Sequence, residues 1–213
     1  LAVSDPLVTR AFWLMISCAL EWFPSEKRFF YMGLEKARRD GNREMRLELL
    51  KIATERFFDD MVFLRESFYI RLEERDAIGA AGVVKQMMQQ YPEDLEPIYY
   101  GMKLSLLTTV RSTYETFRKL AIAKGMPPYL VQLQDLAFAL LTRENQNALR
   151  LIRDLKRKPP SLPYYATALE YIAHDFFHED EKRAKRAKKA LLDSIDQFCL
   201  QTLRVEPRIA LQD

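Results

Sequence analysis

The only two histidines of the chain, His174 and His178, stand four residues apart, with Asp175, Glu179 and Glu181 close by in sequence. On a helix that spacing puts both imidazoles on one face, and histidine with carboxylate is the ligand chemistry of a catalytic zinc ion. One reading of the chain is therefore an all-α metal-dependent enzyme centred on this pair. Two ligands do not complete such a site. A third protein ligand and a general base are needed, and the HExxH arrangement would require Glu where Asp175 stands. The sequence therefore assigns no metal ligand, no catalytic residue and no cofactor.

Other chemistries find less support. There is no GxxxxGK[ST] loop, and Gly79 and Gly82 fall inside a predicted helix rather than after a strand, so they form no phosphate cradle. Cys18 and Cys199 are far apart and neither belongs to a CxxC pair; both read as small hydrophobes on helices. The most prominent charged feature runs from Lys182 to Lys189 (KRAKRAKK). Helical spacing gathers Ala184, Ala187, Leu191, Ile195 and Phe198 into one apolar stripe and sends Lys182, Lys185, Arg186 and Lys189 to the opposite side. That is the pattern of a solvated terminal helix capping a stack. The same cations, extended by Arg153, Lys156 and Arg157, supply an alternative surface for nucleic acid or anionic lipid.

The chain as a whole demands no acidic partner: 33 Lys and Arg stand against 30 Asp and Glu, a net charge of +3. With 48% apolar residues, six Gly and ten Pro among 213 residues, the composition is globular and helix-leaning. Ala11–Leu20 is apolar but too short and interrupted to span a bilayer. The expected compartment is the cytoplasm, and a first residue other than Met suggests a piece of a longer protein.

The elements that position these residues show a period. Pro24, Phe58, Pro92, Pro127 and Pro160 follow one another at intervals of 34, 34, 35 and 33 residues. Polar clusters suited to turns fall between them, at Asp40-Gly41-Asn42, Glu74-Arg75-Asp76, Arg111-Ser112-Thr113, Arg143-Glu144-Asn145 and Glu179-Asp180-Glu181. Apolar residues follow helical spacing, as in Met45, Leu49, Ile52, Ala53 and Phe57, and strand alternation is missing. The reading is an all-α fold: a leading helix in 1–23, helix pairs near 24–57, 58–91, 92–126, 127–159 and 160–203, and a tail at 204–213. A lone pair buries one face of each helix, so the pairs must stack.

This pattern resembles the tetratricopeptide repeat, a 34-residue helical hairpin with a small residue early in its second helix and a closing proline. Ala80 with Pro92, and Ala148 with Pro160, take those places. Tyr99-Tyr100-Gly101 and Leu136-Ala137 resemble the large-then-small pair of the first helix, whereas Thr113-Tyr114 stands where a small residue belongs. The resemblance implies a right-handed α-solenoid of about five antiparallel pairs with an N-terminal helix and a C-terminal capping helix. It also implies a binding surface on the first helices, at Arg65, Tyr69, Glu96, Tyr99, Lys103, Tyr164, Tyr171 and His174. The function expected from it is a non-enzymatic scaffold or adaptor that binds another polypeptide. Uncapped ends would favour self-association.

Overall fold

A computed structural model describes residues 6–157 and 181–203. As the sequence leads one to expect, the described elements are all α-helices, and consecutive helices pack as hairpins. The chain divides into two compact units, Leu1–Gln90 and Tyr91–Asp213. The first holds α1 (Pro6–Trp22), α2 (Lys27–Asp40), α3 (Arg43–Arg56), α4 (Met61–Glu73) and α5 (Ala77–Gln90). The second holds α6 (Leu95–Thr108), α7 (Arg111–Ala123), α8 (Pro128–Leu141), α9 (Asn145–Lys156) and α10 (Glu181–Leu203).

The repeat is written most regularly in the turns that close the hairpins α2–α3, α4–α5, α6–α7 and α8–α9. Gly41, Arg75, Thr109 and Arg143, each 34 residues after the last, all adopt the left-handed conformation, with φ of 67°, 58°, 54° and 61°. This conformation stops the first helix and lets the next backbone amide reach back to its free carbonyls. Asn42 N donates to Ala37 O, Asp76 N to Arg71 O and Glu144 N to Ala139 O, at 2.9, 2.8 and 2.7 Å. Only the first of the four turns uses glycine, the residue for which a positive φ carries no steric cost. Side chains then start the second helices: Asn42 Oδ1 accepts from Met45 N at 3.1 Å and Asp76 Oδ1 from Gly79 N at 2.8 Å.

Inside the hairpins, close approach is set by glycine at one repeat position. A Cβ on Gly33 would stand 2.8 Å from Leu49 Cδ1, and a Cβ on Gly101 would run into the ring of Phe117, in each case the residue sixteen places on. The core of the first unit gathers Phe30, Leu34, Leu49, Ala53, Phe63 and Ile70. Phe30, Phe57 and Phe63 meet there at 5.6–6.2 Å between centroids. In the second unit α8 is buried almost all round, because α6, α7, α9 and α10 all pack on it. Its sequence, PYLVQLQDLAFALL, is correspondingly apolar apart from Gln132, Gln134 and Asp135.

Charged side chains join one hairpin to the next. Asp60, at the start of α4, accepts from Lys27 Nζ at 2.8 Å, Tyr31 OH at 2.9 Å and Val62 N at 2.9 Å. Arg46 of α3 reaches Glu66 and Glu73 of α4. Tyr114 of α7, which breaks the small-residue rule, stacks on Phe138 of α8 at 4.4 Å and donates to Asp135 at 2.7 Å. The bulk at that position is thus taken up by the following hairpin. The expected fifth pair is described only through α10, since 158–180 and 204–213 lie outside the described residues.

Candidate functional site

Within the second unit, α6, α8 and α10 enclose a groove of about 330 Å³. Helical spacing delivers its lining: Tyr99, Lys103 and Leu106 from α6, Gln134, Ala137 and Leu141 from α8, and Lys185, Lys189, Leu192 and Asp196 from α10. The walls are mostly apolar, and the charged lining consists of Lys103, Lys185, Lys188 and Lys189 together with Asp193 and Asp196.

Polar atoms in the groove hold α10 in place. Asp196 accepts from Tyr99 OH at one carboxylate oxygen and from Lys103 Nζ at the other, the latter at 2.6 Å. Gln134, 1% exposed, donates through Nε2 to Cys199 Sγ at 3.3 Å, while its Oε1 is buried with no hydrogen-bond partner among the described residues. Leu191, Ile195 and Cys199, spaced by four, are buried beneath α10, and Phe198 meets Tyr129 edge-on at 6.1 Å.

Electrostatics make Cys199, buried beneath α10, a poor nucleophile. Burial pushes the Cys199 thiol up to about 12, with Asp196 adding to the rise and the Gln134 hydrogen bond and Lys103 opposing it. It is a thiol, not a thiolate, near neutral pH. Lys188 moves the other way: burial, and then the charge of Arg143, lower its pKa from the ordinary lysine value.

A second cleft, of about 320 Å³ between α7, α8 and α9, is polar, and two of its arginines are held by carboxylates. Arg118 grips Asp135 with two bonds of 2.7 and 2.9 Å, and Arg111 pairs with Glu144 while lying over the Phe138 ring. Burial, reinforced by Asp135, raises the pKa of Tyr114 above the usual phenol value, so it is a donor and not a base.

The groove unites residues that the sequence offered for two separate surfaces: Tyr99 and Lys103 from the first-helix set, Lys185 and Lys189 from the basic set. Glu96 and Tyr99, expected on a partner-binding face, are buried, and Tyr99 lies against α10, where it bonds Asp196. Arg65 and Tyr69 are half-buried on α4 of the first unit. Lys182 and Arg186 are exposed on α10, and Arg153, Lys156 and Arg157 are exposed at the end of α9. Tyr164, Tyr171, His174 and His178 lie outside the described residues; among those described, no group of three His, Cys, Asp or Glu is placed to hold a metal ion.

Sequence reasoning did not single out Gln134, Lys188 or Asp196. Gln134 had a signal, a polar residue inside the apolar run Leu130–Leu141. Asp196 had a fainter one, an acid beside the apolar stripe of a helix that begins strongly basic. Among the described residues, no helix is long and apolar enough to cross a membrane. The chain matches no protein-family model, and comparison with curated proteins and with solved structures returns no significant match.

Proposed function

We propose that this protein is a non-enzymatic interaction scaffold that binds a partner polypeptide at the α6–α8–α10 groove. One observation supports the reading most: an apolar hollow large enough for several side chains, rimmed by Lys103, Lys185, Lys188 and Lys189, with Leu107 at its edge 55% exposed. Apolar anchors set in a charged rim are the surface from which protein interfaces are built. The resemblance to tetratricopeptide arrays, which rests on the period and the turns, agrees with it.

The test is capture of partners from extract by the wild-type chain, by Leu107→Glu, and by the triple variant Lys185→Glu, Arg186→Glu, Lys189→Glu, at low and high salt. The scaffold reading expects a protein whose capture is lost with Leu107→Glu and survives high salt in the wild type. Nucleic acid or lipid that vanishes with salt and with the triple variant would move the function to the exposed basic face of α10.

A further inference from the structure

We infer that α10 is a built-in competitor for the α6–α8 face, and that the partner displacing it is an amphipathic helix carrying a carboxylate where α10 carries Asp196. The inference rests on the scaffold reading and adds the chemistry of its partner and the means of its control.

The contacts are those of a helix bound in a groove. The face that α10 covers belongs to α6 and α8, equivalent first helices of consecutive hairpins. One stripe of α10, Leu191, Ile195 and Cys199, enters the core, Lys185 and Lys189 are exposed where they line the groove, and Arg186 faces solvent. Helices recognised in grooves present this pattern, with apolar anchors one turn apart. The polar register mark is Asp196, grasped by Tyr99 and Lys103, which stand one turn apart on α6.

The seat is also imperfect. Among the described residues, a buried Gln134 oxygen has no hydrogen-bond partner beside α10, and an apolar hollow remains between Leu107, Leu141 and Leu192. Both defects cost binding free energy. A helix with a larger apolar side chain at the Leu192 position, and a donor within reach of Gln134, fits the same face better. Such a helix keeps the carboxylate that Tyr99 and Lys103 require.

The experiment follows a fluorescein-labelled peptide of sequence 181–203 binding to the full chain, read by anisotropy. In the wild type the seat is filled, so apparent affinity is reduced by the fraction of molecules that are closed. Asp196→Lys in the full chain sets two lysines against each other and opens the seat, and the peptide is expected to bind it about tenfold more tightly than the wild type. Adding Lys103→Glu re-forms the pair in cis with reversed charge and removes that gain. A peptide carrying Asp196→Lys is not expected to bind the opened chain.

Equal peptide binding by the wild type and a folded Asp196→Lys chain would overturn the inference. Should that variant fail to fold, hydrogen exchange on the wild type decides. Exchange in α10 about a hundredfold faster than in α6 and α8 supports a displaceable helix, and exchange of all three through one opening refutes it. If the peptide fails while Leu107-dependent protein capture persists, the scaffold stands and only the competitor is lost; failure of both ends both.

Discussion

Lys103 Nζ donates to Asp196 Oδ2 at 2.6 Å, a bond between helices whose residues lie 93 positions apart in the chain. With side chains 15% and 29% exposed, the pair is sheltered but not sealed from solvent. Asp196→Ala is expected to destabilise the second unit by about 1–2 kcal/mol, below the upper range for charged hydrogen bonds because water still reaches the carboxylate. A double-mutant cycle with Lys103→Ala in urea checks this. Additive losses would mean the two side chains act independently.

Asp60 predicts an acid transition in the first unit. Burial works to raise its pKa, but bonds from Lys27, Tyr31 and Val62 N outweigh it and hold the carboxyl below its ordinary value. The stabilisation is therefore complete above the unfolded carboxylate pKa, about 3.9, and is lost as pH falls through the lower folded value. Urea midpoints should drop below about pH 4 in the wild type and less steeply in Asp60→Asn, which should also be about 1 kcal/mol less stable at neutral pH. Parallel pH profiles for the two proteins would contradict the assignment.

Two helical glycines should answer alanine in opposite ways. Gly101→Ala drives a methyl into Phe117 and is expected to cost about 1–3 kcal/mol, partly recovered by Phe117→Leu. Gly82→Ala, with nothing within 4 Å of the new Cβ, should stabilise by about 0.5–1 kcal/mol through helix propensity. Thermal melts of the three variants distinguish the cases.

The two cysteines should report on α10. Cys18 is exposed, whereas Cys199 is buried with its thiol held up to about 12. Mass spectrometry after brief alkylation near neutral pH should find Cys18 modified and Cys199 spared. Asp196→Lys should speed modification of Cys199 and leave Cys18 unchanged.

Much of this was legible in the sequence, and the physical reason differs for each part. Hairpin turns were readable because Asp40-Gly41-Asn42 and Glu74-Arg75-Asp76 state local chemistry, a left-handed residue followed by a capping side chain. The buried stripe of α10 was readable from spacing, although Cys199 lies deeper than Phe198. The helix on which that stripe lands was not readable. Periodicity names the face that seeks burial and is silent about its neighbour, so the meeting of Tyr99 and Lys103 with Asp196 had to be seen. Tyr114 made the same point from the other side, since a residue that broke the repeat pattern was accommodated by Phe138 and Asp135 of the next hairpin.

Turns spaced 34 residues apart also constrain how such a chain can change its length. The second helices begin at Arg43, Ala77, Arg111 and Asn145, in step with the left-handed residues before them. One residue inserted within a helix turns everything beyond it by about 100°, which would carry the contact partners Leu49 and Phe117 away from Gly33 and Gly101. Insertions and deletions are therefore confined to the connections between hairpins, such as Gly125–Pro127 ahead of α8, and these are the places to lengthen the chain for a probe or a fused domain.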